Sequence, residues 1–172
     1  MEFRPAELTD LGRIMEIVGD AQRFLRESGV DQWQDGYPAR TLLAEDIEKR
    51  ACHVCALAGR AAGLVSLFFQ HEDCYDYVEN GKWLTGNARY AAFHRIAVHS
   101  EYRRKGIASH LMSYLENLTK ERGFSSLRGD THRDNRVMRG MLEKHGFVPC
   151  GIIYLDEPRG LHNARVCYEK RL

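Results

Sequence analysis

No window of this 172-residue chain approaches the roughly 20 consecutive apolar residues that a membrane-spanning helix needs. The best run, residues 61–69, is the length of a strand, so no membrane association is expected. An excess of one charge is also lacking. The 25 Lys and Arg against 24 Asp and Glu leave a formal net charge of +1, and no Lys/Arg-rich stripe is interleaved with aromatics, so nucleic acid is not an expected partner. Any basic site has to be local. Paired cysteines are missing as well: five residues (Cys52, Cys55, Cys74, Cys150, Cys167) are an odd, scattered set, and the opening Met1-Glu2-Phe3-Arg4 is not an apolar leader. A cytoplasmic, reduced protein is the expectation. Cys52 and Cys55 with His53 between them are half a metal motif, but strand alternation puts the two thiols on opposite faces and no second Cys-x-x-Cys pair follows. No metal is expected. Internal repeats and low-complexity tracts are absent, and 44% hydrophobic with 28% charged residues is the composition of a folded chain. The length suits one domain over residues 1–172.

The periodicity supplies the elements. Residues 2–4 suit a short strand, and Leu11, Ile14, Met15, Val18 and Leu25 then recur at helical spacing behind Thr9 or Asp10 as N-cap, up to Ser28-Gly29. Residues 33–38 are irregular and carry Trp33 and Tyr37, either as a substrate-facing loop or as aromatics capping the core. Pro38 can open a second helix to about residue 50, and residues 52–57 and 62–69 flank Gly59-Arg60 as a hairpin. Residues 71–87 form a long acidic and aromatic connection, of the kind that carries function in compact domains. Residues 89–98 read as a central strand, 106–122 as a helix and 126–131 as a returning strand. That βαβ order requires a parallel pair with a right-handed crossover. Asp134 can cap a helix with Val137, Met141 and Leu142 inward and Gly146 at its end, and residues 147–154 and 165–169 close a hairpin around the turn-like residues 156–160.

The most informative stretch is Arg103, Arg104, Lys105, Gly106, Ile107, Ala108 and Ser109, between the central strand and its helix. A strand that stops and a helix that starts leave free backbone N–H groups at one point. Gly106 lets the backbone approach a diphosphate, Ala108 is too small to crowd it, and the basic side chains add charge. The same fragment taken alone is equally compatible with a basic turn that binds nothing.

From Phe93-His94-Arg95-Ile96-Ala97-Val98, through this loop, to Asn135 and Glu143-Lys144-His145-Gly146-Phe147, the chain resembles the GNAT superfamily of acetyl-CoA-dependent N-acetyltransferases. The resemblance implies an α/β (α+β) fold of the acyl-CoA N-acyltransferase type. Its sheet is mixed and mostly antiparallel, flanked by helices, with one parallel splayed strand pair. It further implies acetyl-CoA as cosubstrate, with its pyrophosphate on the amides of residues 104–109 and its pantetheine arm along Ile96, Ala97 and Val98 as an added strand. Asn135 matches the family asparagine that contacts the cofactor, although an asparagine there is also an ordinary helix cap.

The family's usual general acid is a tyrosine seven residues beyond that asparagine, and here the position is Leu142. A CoA thiol with a pKa near that of free cysteine, about 8.5, leaves as thiolate at neutral pH for only about 2 kcal/mol. Tyr154, Tyr114 or water could supply the proton. The need for a base depends on the acceptor: neutralising a lysine-type amine costs roughly 4–5 kcal/mol at pH 7, an α-amine about 1. His94 is the candidate base, on the side of Ile96 and Val98 if the strand alternates regularly and on the other if it is bulged. Asp130, Thr131 and His132 form a second titratable cluster at the end of the next strand. Two functions follow: acetyl transfer to a small-molecule or peptide amine by direct attack in a ternary complex, or acyl-CoA binding without catalysis, as a sensor. A homodimer is the default assembly.

Overall fold

Leu11, Ile14, Ile17, Val18 and Leu25 are the buried residues of α1 (Leu11–Glu27), the spacing that gives a helix one apolar stripe. Asp10 stands at its N-terminus, where its carboxylate accepts the Glu7 N–H and a two-bond clamp from Arg4 at 2.7 and 3.0 Å. That clamp fastens strand β1 (Glu2–Pro5) to the start of α1 and holds the Asp10 carboxyl below its usual range. In this computed structural model, residues 1–156 and 159–172 are described.

Strands β2 (Cys52–Leu57), β3 (Arg60–Phe68), β4 (Ala91–Val98), β5 (Ser126–Thr131), β6 (Val148–Tyr154) and β7 (Ala164–Arg171) complete a seven-stranded sheet in the order β1-β2-β3-β4-β5-β7-β6. The pairs β1–β2, β2–β3, β5–β7 and β6–β7 are antiparallel, and β4–β5 is parallel as the βαβ order requires. The β4–β5 ladder covers Ala91↔Leu127 and Ala92↔Arg128. The other helices are α2 (Arg40–Glu48), α3 (Ile107–Glu121) and α4 (Arg136–Lys144).

Two compact units make up the chain. The first comprises Met1–Leu67 and Phe93–Leu115. Its core joins Ile14, Ile17 and Val18 of α1 and Leu43 and Ile47 of α2 to Cys52, Val54, Leu64 and Ala97 of the strands, with Trp33 packed at the margin. Trp33 therefore caps the core, one of the two roles open to it. Gly63 permits close packing here: a Cβ at this position would lie 3.0 Å from the Ala97 carbonyl and 3.1 and 3.2 Å from Ile107 and Leu111. The hairpin turn falls at Ala58 and Gly59, both with positive φ, so Arg60 begins β3 instead of occupying the turn. Pro38 follows a cis peptide bond, and α2 starts two residues later at Arg40.

The second unit comprises Phe68–Ala92 and Glu116–Leu172. At its centre Arg128 pairs with Glu169 at 3.0 Å, with both side chains almost fully buried. The Arg128 guanidinium also lies 4.2 and 3.9 Å from the rings of Trp83 and Tyr90, and Glu169 accepts from Leu84 N, Thr85 N and Thr85 Oγ1. The long connection 71–87 is thus fastened to β5 and β7 by one charge pair. It contains a 3₁₀ turn at Asp73–Tyr75. Two expectations need correction in this unit. Asn135, not Asp134, caps α4, and Val137 is 65% exposed because α4 is a short helix with a narrow apolar stripe in which Leu142 alone is fully buried. Of the turn expected at residues 156–160, Glu157 and Pro158 lie outside the described residues.

Candidate functional site

Within the first unit, β4 runs from Phe93 to Val98 beside β3 and then hands the chain to the basic loop. His99 N–H closes the pairing on the Ala62 carbonyl at 2.9 Å, and a 3₁₀ turn, Ser100–Tyr102, follows. Asp20 of α1 anchors that turn, its carboxylate accepting both the N–H and the hydroxyl of Ser100. Those bonds hold the Asp20 carboxyl below its ordinary range. Arg103 donates to the Asp20 carbonyl at 3.1 Å and stacks 4.6 Å from the centre of the Phe24 ring. Its guanidinium is therefore committed to α1 and fixes the loop; the charge offered outward comes from the exposed Arg104 and Lys105.

Arg104 (φ 60°) and Gly106 (φ 77°) both take the left-handed conformation on either side of Lys105. Left-handed residues placed in a turn swing successive N–H groups to one side and form a concavity for an anion. Helix α3 begins immediately after, and its first helical N–H bond runs from His110 to the Gly106 carbonyl at 3.0 Å. The N–H groups of Ile107, Ala108 and Ser109 precede that bond, in the first turn of α3, where a helix has no internal partners for them and carries its positive end. The His110 ring also bonds the Gly106 carbonyl through Nδ1 at 2.9 Å. A carbonyl only accepts, so Nδ1 carries a proton.

Upstream, Arg95 sits in the middle of β4 with φ 58°. A left-handed residue inside an extended strand acts as a bulge and breaks the regular alternation there. The regular parity that put His94 on the side of Ile96 and Val98 therefore does not apply. His94, Ile96 and Val98 are half-buried and Ala97 is buried.

Asn135, Tyr154, Asp130, His132 and Leu142 belong to the second unit. Asn135 Oδ1 accepts from Met138 N–H at 3.1 Å, so the capping role is in place. Tyr154 donates its hydroxyl proton to Glu79 at 2.8 Å. That bond to a carboxylate raises its pKa above the ordinary phenol range. Asp130 accepts from Tyr75 at 2.9 Å, and His132 Nδ1 accepts from Asp134 N–H at 3.2 Å, which leaves the proton of a neutral ring on Nε2. Leu142 is fully buried in α4. A pocket of about 210 Å³ is lined by Asp73, Cys74, Tyr77, Tyr154, Leu155, Asp156 and Arg159. Tyr114, the other phenol considered, belongs to the first unit, where it stacks on Phe3 and bonds His53 Nδ1 at 3.1 Å. Burial raises the Cys52 thiol to about 12, so it stays protonated and is a poor ligand or nucleophile.

Sequence reasoning missed the partners of Arg95: Asp46 on α2 at 2.8 Å and the Tyr37 hydroxyl at 2.6 Å. A signal was present. Asp46 lies at core spacing between Leu43 and Ile47, and a carboxylate in that stripe needs a buried partner.

Residues 18–147 match the model of the acetyltransferase (GNAT) family. Among solved structures, a GNAT-family acetyltransferase from Streptococcus agalactiae 2603 is 32% identical, with a TM-score of 0.86 over 99% of this chain and 95% of that one. A GNAT-family acetyltransferase from Listeria monocytogenes 4b F2365 is 22% identical, with a TM-score of 0.73 over 99% and 94%. The PaiA N-acetyltransferase of Thermoplasma acidophilum, solved in complex with coenzyme A, is 18% identical, with a TM-score of 0.70 over 99% and 98%. No curated protein matches.

Proposed function

The chain belongs to the GNAT acetyltransferase family and is an acetyltransferase; from that premise we propose that residues 1–172 act as one domain that moves the acetyl group of acetyl-CoA to a primary amine. One observation carries the donor assignment. The nest at Arg104 and Gly106 opens onto the start of α3, directly after a strand whose parallel ladder stops at Ala92. The first feature suits a diphosphate and the second an extended arm laid along peptide groups of residues 96–98.

Acetyl-CoA supplies an activated acyl group whose leaving thiol needs little help. The protein's part is placement. Arg104, Lys105 and the N–H groups of Gly106, Ile107, Ala108 and Ser109 hold the diphosphate; the β4 backbone holds the arm and polarises the carbonyl. Arg103 contributes by fixing the loop on α1. The amine attacks the thioester carbonyl directly, without an acyl-enzyme. His94 accepts its proton, directly or through water, which is worth on the order of 10²- to 10⁴-fold for a lysine-type amine. Tyr154 is the remaining protein acid for the thiolate, but its hydroxyl is bound to Glu79 and held protonated, so solvent is the better donor.

Incubating the protein with acetyl-CoA and a panel of α-amines, polyamines and lysine peptides, while following free thiol, tests this reading. Thiol release that depends on one acceptor class supports it. Silence across the panel, with CoA binding demonstrated, would favour a sensor, the role that the buried Leu142 leaves open.

A further inference from the structure

Arg95 combines two features that a strand residue avoids: a left-handed backbone and a buried charge. Its φ is 58°, where a residue with a Cβ is strained, and its side chain is 9% exposed. Neither feature persists without something that over-determines it.

The determinant is Asp46. Its side chain, 4% exposed, projects from the apolar stripe of α2 and accepts from Arg95 Nε at 2.8 Å and from the Ser66 hydroxyl of β3 at 2.7 Å. The remaining reach of the guanidinium goes to Tyr37, whose hydroxyl it meets at 2.6 Å. Tyr37 is itself tied to α1, since its carbonyl accepts from Gln22 at 2.9 Å. One cation is therefore gripped from α2 and from the loop before α2. A straightened β4 would draw the guanidinium away from Asp46 and separate two buried charges, which is more costly than a strained φ.

We infer that Asp46 is a positioning residue for the donor: through Arg95 it holds the β4 bulge, and thereby the direction of the peptide groups of residues 96–98. The inference rests on the donor reading above. It concerns only the arm, because the diphosphate nest is fixed separately by Asp20 and Arg103.

The consequence is that the two ends of CoA respond differently when the pair is removed. Calorimetry on the whole chain with two probes, CoA and ADP, separates them, because ADP carries a diphosphate but no pantetheine. Asp46→Asn with Arg95→Val removes the pair and installs a β-branched residue that resists left-handed φ. Asp46→Asn with Arg95→Gly removes the same pair but permits that φ. We expect the valine variant to lose about ten-fold in CoA affinity, the equivalent of one or two main-chain bonds, with ADP affinity unchanged within about two-fold. The glycine variant should recover to within about three-fold of the parent. Equal CoA affinity in all three proteins, equal losses in both variants, or parallel losses of CoA and ADP would each overturn the role. If the valine variant does not fold, Asp46→Asn alone, with Arg95 retained, should weaken CoA and not ADP, and an unchanged CoA affinity there overturns it equally. A parent protein that binds neither probe refutes the donor reading, and this inference with it.

Discussion

Gly106 offers the sharpest perturbation of the proposed donor site. Its φ is 77°, and a Cβ there would stand 3.4 Å from His110 Cε1 and 3.5 Å from Nδ1, so a side chain has room and meets strain only through the backbone. Holding a non-glycine residue left-handed costs about 1–2 kcal/mol. At roughly 2–4 °C per kcal/mol for a chain of this size, both Gly106→Ala and Gly106→Glu should melt about 2–8 °C below the parent. Binding should separate them. The glutamate places a carboxylate at the nest formed by Arg104 and Gly106, where it competes with the diphosphate for the same N–H groups. Losing two charge-assisted bonds of about 1.5–3 kcal/mol each weakens CoA roughly 10²- to 10⁴-fold. The alanine carries the backbone penalty without the charge and should lose less than about ten-fold. Calorimetric titration with CoA, with thermal unfolding as the control for folding, gives both numbers. A glutamate variant that melts like the alanine variant yet binds CoA within about three-fold of the parent would refute the cradle.

Three named groups give further expected outcomes. Glu169→Gln leaves Arg128 buried without a counter-charge, which should cost about 3–5 kcal/mol and lower the melting temperature by roughly 6–20 °C; a drop below 2 °C contradicts the central role of the pair. Burial alone would raise the Glu169 carboxyl, but hydrogen bonds from Thr85, Ser126 and Arg128 outweigh it and hold it below its ordinary value of 4.5. Its contribution is therefore present above that value and is lost as the pH falls through the lower folded-state value, so acid unfolding of the Gln variant should be less steep than that of the parent. His94→Ala should cut thiol release at pH 7 by about 10²-fold or more with a lysine-type amine, with a smaller deficit at high pH where the amine is already neutral; parallel pH profiles remove His94 as base. Tyr154→Phe should leave kcat and CoA affinity within about two-fold, because a phenol bound to Glu79 is a poor donor; a large fall in kcat restores it as the acid.

Periodicity and turn chemistry are local properties, and what depends on them was legible in the chain. The apolar stripe of α1, the parallel β4–β5 pair implied by a βαβ order, and β5 itself at Ser126–Thr131 all follow from residues a few positions apart. So does the loop, because a glycine and small residues between a strand and a helix imply exposed N–H groups wherever they occur. Element boundaries drifted where local signals compete: Pro38 resembles a helix start, yet α2 begins at Arg40, and Val137 resembles an inward residue, yet it faces out. Tertiary structure alone decided three things. It engaged Arg103 with the Asp20 carbonyl and the Phe24 ring, and Tyr154 with Glu79. It also paired Arg95, left-handed in the middle of β4, with Asp46, 49 residues earlier in the chain. Each depends on a partner distant in sequence, and a pairwise charge or hydrogen bond leaves no periodic trace. The sequence by itself determined that a basic, glycine-containing loop joins this strand to its helix; only tertiary structure decided that Arg95, in the middle of the strand, meets Asp46 of α2, because that partner is distant in sequence.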